Sequence, residues 1–79
     1  MALSEERRQA KLRTLVETEG YPSLEALLEA TITDSVSPAI CTAEDCSYTC
    51  EMEPDQDRGW CEACGKNTVQ SALILAGLI

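Results

Sequence analysis

The sequence predicts a small α+β domain with an N-terminal helical hairpin, a cysteine-rich centre holding a short β-hairpin, and a C-terminal helix. Three observations lead there. Apolar residues recur at helical spacing before residue 33, residues 48–53 alternate apolar with polar, and all five cysteines fall between Cys41 and Cys64. The chain has 79 residues. A chain this short buries only about 60% of the surface it exposes unfolded, so such domains usually add a disulfide, a metal or a second copy.

Residues 1–38 read as the helical segment. Ser4 suits the N-cap of a first helix over residues 4–19, Glu5 and Glu6 complement its dipole, and Gly20 stops it. Only Leu12, Leu15 and Val16 make an apolar stripe, so its first two turns are expected to fray or project into solvent. A second helix is expected from Pro22, with Leu24, Leu27, Leu28 and Ile32 on one face. The short link between them implies a hairpin, antiparallel or angled. Asp34 to Pro38 ends this half.

Residues 39–79 carry the rest of what is expected to be one compact domain. Tyr48 to Glu53 predicts a strand, Pro54 to Gly59 a turn, and Trp60 with Cys61 a return strand. Asn67 and Gln70 resemble a capping box, which predicts a helix from Thr68 to about Ala76; a strand over Val69 to Leu75 is the alternative. On a helix, Val69, Leu73 and Ala76 would dock on the stripe from Leu24 to Ile32. Ile74, Leu75 and Leu78 would then need another cover, either a weak homodimer or an unknown protein partner at a patch centred on Leu75 and Leu78.

The cysteines are spaced Cys41-x4-Cys46-x3-Cys50-x10-Cys61-x2-Cys64, with Gly65 following. In a C-x-x-C-G turn both sulfurs can face one metal, and glycine allows the backbone reversal that turns amides toward them. A second pair upstream makes four thiolates, the donor set of structural zinc. Cys50 lies on the apolar face with Tyr48 and Met52, so Cys41, Cys46, Cys61 and Cys64 are the expected ligands of one structural Zn²⁺ per chain; a set using Cys50 is the alternative. Iron would accept the same ligands. A disulfide framework leaves one cysteine over. A thioredoxin-like reading of Cys61 and Cys64 needs a larger βαβ context.

Residues 39–66 thus look like a zinc ribbon, a class with cysteine knuckles at the tips of β-hairpins. The C-terminal half also resembles a set of short, uncharacterised bacterial proteins. The likeness runs from Pro38-Ala39-Ile40-Cys41 through Glu53-Pro54-Asp55-Gln56, Gly59-Trp60-Cys61-Glu62 and Cys64-Gly65 to the run from Asn67 to Ile79. It implies a zinc-binding protein of bacterial type in which the position of Cys50 need not be cysteine. It implies no activity.

Charge narrows the function. The net charge is −8, and histidine is absent, which removes imidazole-based catalysis and every zinc site that needs His. Residues 1–13 nevertheless carry a net +2, while residues 14–79 carry −10, so the two parts could attract each other or the basic end could seek an acidic partner. Arg7, Arg8 and Lys11 share one side of a helix but read as a solvated face rather than a phosphate site. Lys66 reads as a solvated loop residue, although it could help balance the thiolates. Glu51, Glu53, Asp55 and Asp57 read as an acidic edge, since the pattern of a calcium loop is absent. Trp60 and Tyr48 are expected to pack beside the metal rather than stack on bases.

Four cysteine ligands leave no open position, so the protein is not expected to be an enzyme. A protein-interaction or regulatory module with structural zinc is expected. The alternative is a nucleic-acid- or transcription-associated ribbon, and a thiol redox protein comes third. Generic nucleic acid is not an expected partner. The longest apolar run, Ala72 to Ile79, is far short of the about 20 residues that span a membrane, and the opening MALSEERRQAK lacks a leader's apolar stretch. A cytoplasmic protein without membrane association is expected.

Overall fold

The computed structural model describes residues 4–78. Residues 1–3 and Ile79, the end of the apolar run, lie outside them. Two helices, α1 (Glu5–Glu19) and α2 (Leu24–Ile32), precede four strands, β1 (Ser37–Cys41), β2 (Thr49–Met52), β3 (Gly59–Cys61) and β4 (Lys66–Ser71), and a last short helix, α3 (Ala72–Leu75). All strand pairs are antiparallel, in the order β2-β1-β4-β3. No helix among the described residues is long and apolar enough to cross a membrane.

Both long helices start on a serine cap. The Ser4 hydroxyl accepts from the Arg7 amide, and that of Ser23 from the Ala26 amide. The second cap corrects the expected start at Pro22: the serine satisfies an amide of the first turn, and the proline falls just outside. At the end of α1 the Gly20 and Tyr21 amides return to the Val16 carbonyl at 3.0 and 3.1 Å.

The expected strand partners are exchanged. β2 and β3 do not form a hairpin with each other but lie at opposite edges of the sheet. Each pairs with a neighbour instead, β2 with β1 and β3 with β4. Chain segments that hold Cys46 and Cys64 therefore close two separate hairpins. The edges still meet, because the sheet curls until Met52 of β2 covers Gly59 of β3. A Cβ at Gly59 would collide with the Met52 sulfur.

The largest correction is at residues 66–76. The Cys61–Gly65 turn reverses the chain beside β3, so Lys66 onward pairs with it and then with β1. Those pairings, with β-branched Thr68 and Val69 in the strand, outweigh the local capping signal. The helix starts only at Ala72, where the Ser71 hydroxyl accepts from the Ile74 amide and donates to the Pro54 carbonyl. α3 ends with the Leu78 amide on the Leu73 carbonyl and the Gly77 amide on Ile74.

β1, whose first two residues, Ser37 and Pro38, were expected to end the helical half, is one of the two inner strands and is buried throughout. It divides the core. Ile40 joins Leu12, Leu15, Leu27, Ala72 and Leu75 on the helical side. Ala39 and Cys41 join Cys61 and Val69 on the other side. Val69 therefore does not dock on α2 as expected. Within α2, Leu27 is buried, Leu24 and Leu28 are partly buried, and Thr31 takes the inner position expected of Ile32, which is 63% exposed. Buried Leu12 and Leu15, with the partly exposed Val16 beside them, seat α1 on this core, so it does not project freely.

Leu75 is likewise core, at 2% exposed, because α3 begins late and turns it onto α1 and α2; it cannot contribute to the expected surface patch, whereas Leu78 remains exposed. Leu75→Ala should destabilise the protein by about 2–5 kcal/mol. Leu78→Ala should change stability by less than about 0.5 kcal/mol. Urea unfolding of both variants checks this.

Candidate metal centre

The four cysteines reach one place because two hairpins aim their tips at it. Cys41 ends β1 and Cys61 ends β3. Cys46 lies in the β1–β2 connection and Cys64 in the β3–β4 turn. The turn is fixed by the Gly65 amide on the Cys61 carbonyl at 2.8 Å, with Gly65 at φ 69°, a conformation that favours glycine. The Cys46 amide closes the other tip on the Ala43 carbonyl at 3.2 Å.

The four Sγ atoms all lie within 4.8 Å of one another. The close approaches, Cys41 to Cys64 and Cys46 to Cys61, are both 3.6 Å and both join one hairpin to the other. A tetrahedron of sulfurs about 2.3 Å from a central zinc has edges of about 3.8 Å. A disulfide needs about 2.05 Å, and all five cysteines are free thiols. The group is therefore of a size to hold one metal ion. Its chemistry, four soft thiolates without a carboxylate or imidazole, suits zinc or iron.

Cys41 and Cys61 are buried, while Cys46 and Cys64 are only partly covered. Around the sulfurs, the Cys64 amide points to Cys61 Sγ at 3.4 Å. The Thr68 hydroxyl lies 3.0 Å from Cys41 Sγ and 3.7 Å from Cys64 Sγ, placed to donate to a thiolate. Thr68 had no signal in the sequence while residues 68–76 read as helix; on β4 it faces the same side as the sulfurs. Across the hairpins, the Tyr48 hydroxyl donates to Glu62 at 2.9 Å. That bond, and secondarily burial and the Glu62 charge, raise the phenol above its ordinary range.

Cys50 stands outside the group of four. It pairs with Ala39 across β1 and β2 and packs in the sheet-side cluster with Tyr48 and Met52. Partial burial, followed by the Cys61 and Glu62 charges, pushes its thiol pKa up.

Other expectations change here. Lys11, which reads as part of a solvated basic face, is buried and donates to the carbonyls of Ala43, at 2.7 Å, and Cys46. Arg8 reaches the Ile74 carbonyl at 3.3 Å, and Arg7 pairs with Glu44 at 3.7 Å. The basic start of the chain thus folds onto its own remainder. Lys66 is exposed. Trp60 is 58% exposed rather than packed beside the sulfurs: Cys61 points inward, so the pleat turns its neighbour outward, over the Gly65 turn.

Cys50→Ser should leave metal content unchanged, whereas Thr68→Val removes a hydroxyl shared by two sulfurs and should weaken metal retention by about 1–3 kcal/mol. Competition against a chelator, read by elemental analysis, checks both. No family model, curated protein or solved structure matches this chain, so the functional reading stands on the geometry of the four thiols.

Proposed function

We propose that the chain is a small acidic zinc-binding protein in which one Zn²⁺, held by Cys41, Cys46, Cys61 and Cys64, is structural, and that it works as a protein-interaction or regulatory module. One observation carries the reading, the convergence of four free thiols within 4.8 Å from two hairpins. When bound, the ion supplies a crosslink between the two hairpin tips. This chain's residues do the remaining work: the Cys64 amide and Thr68 hydroxyl donate to sulfur, and Cys41 and Cys61 exclude water from the inner side. A closed set of four protein ligands offers no position for a substrate, which supports a non-enzymatic role. Apparent zinc binding of about 10–16 kcal/mol is comparable to a small domain's whole stability, so folding and metal loading should coincide.

A protein partner is favoured over nucleic acid by charge. The net charge is −8, and three of the four cations in residues 1–13 are engaged within the chain, which leaves few for phosphates. Exposed Trp60 keeps the nucleic-acid reading as the alternative.

Elemental analysis of purified protein should find one zinc per chain. Cys41→Ser and Cys61→Ser should each lose it and unfold, as read by circular dichroism. A metal-free parent that is folded overturns the reading. A titration with single-stranded and duplex nucleic acid at about 150 mM salt should show no micromolar binding.

A further inference from the structure

Lys11 lies mid-helix in α1 yet is only 8% exposed, and it is the one buried charged side chain among the described residues. No carboxylate among the described residues pairs with its ammonium. It donates instead to the carbonyl oxygens of Ala43 and Cys46, both in the β1–β2 connection. An ammonium is withdrawn from water only where such acceptors replace the water it loses. Helix and loop therefore hold each other: the loop supplies the acceptors, and the ammonium fixes two carbonyls, one of them on a clustered cysteine. Arg7 and Glu44 join the same two segments at the surface, where an ion pair adds little.

We propose that Lys11 is a positioning residue for the metal centre and that, through it, metal binding and the docking of α1 are coupled. The inference rests on the four-thiolate reading above. Four thiolates around a divalent ion carry a net charge of −2, and such centres need donors and positive charge close by. Lys66 on the second hairpin is exposed, whereas buried Lys11 brings one positive charge onto the backbone of Cys46. Metal holds Cys46 in place and so holds the carbonyls that receive Lys11. When the metal leaves, the loop is free to relax, the ammonium loses its acceptors, and α1 is driven off the core it shares with α2 and α3. Coupling of this kind is reciprocal, so a docked α1 tightens metal binding in return.

Lys11→Met tests this, because methionine keeps an unbranched apolar stem of similar length and removes only the charge and the donors. Arg13→Met is the control, removing the same charge from an exposed position on the same helix. Zinc affinity is measured by competition with a chromophoric chelator, and amide exchange of α1 is followed in zinc-saturated protein. Lys11→Met should lose about 10–100-fold in affinity and exchange faster across residues 5–19 while β1 and β4 stay protected. Arg13→Met should match the parent, and Lys11→Arg should recover most of the loss. Should Lys11→Met fail to fold in saturating zinc, Lys11→Gln, a neutral donor, makes the same comparison. Parent-like affinity in the Lys11 variants, or an equal loss in Arg13→Met, overturns the role of Lys11 and leaves the metal reading standing. A parent that holds no metal overturns the metal reading itself.

Discussion

Everything in this structure is arranged around the convergence of two hairpin tips. A chain of 79 residues has little apolar surface to bury, and β1 must serve two small cores at once, with Ile40 toward the helices and Ala39 and Cys41 toward the sulfurs. Neither core is large. The helical one has six buried residues and the other four, two of which are cysteines from the group itself. Whatever links those thiols crosslinks the β1–β2 tip to the β3–β4 tip, through the ends of β1 and β3 and the two connecting turns, a constraint no single apolar contact here supplies.

The cysteine group was legible because spacing alone carries it. The C-x-x-C-G turn is suggestive alone and strong with a second cysteine pair upstream, and Cys50 could be set apart by its strand face, which puts it opposite Ala39 and beside Met52. Strand pairing was less visible. Tyr48–Glu53 and Trp60–Cys61 are neighbours in sequence across a turn-like stretch, and local rules pair neighbours. The true partners, Ser37–Cys41 and Lys66–Ser71, were disguised. The first holds a proline, and the second holds a sequence that also caps a helix.

Pro38 shows how a residue that argues against a central strand comes to sit in one. The Cys41 amide points to Tyr48 on the β2 side, and the Thr42 amide to Thr68 on the β4 side. By alternation, the missing amide of Pro38 faces the β4 side. There β4 ends at Ser71, opposite Ala39. The proline thus occupies the one stretch of β1 with no ladder neighbour on the side where it cannot donate, which is an edge position within a central strand. Ser71 makes this possible by turning the chain from strand to helix one residue before the conflict.

Charge was legible in amount but not in use. The basic start and acidic remainder were expected either to attract each other or to leave a cationic face, and the structure takes the first course through specific acceptors. Two of those acceptors are backbone carbonyls of the sulfur-bearing loop and a third is the Ile74 carbonyl of α3. The cations thereby satisfy dipoles that sequence patterns do not reveal, and little positive charge is left facing outward. Arg13, Arg58 and Lys66 remain exposed against a surface rich in carboxylates. The exposed surface is therefore anionic and interrupted by a few apolar side chains, chief among them Ile32, Trp60 and Leu78. Such a surface repels a polyanion.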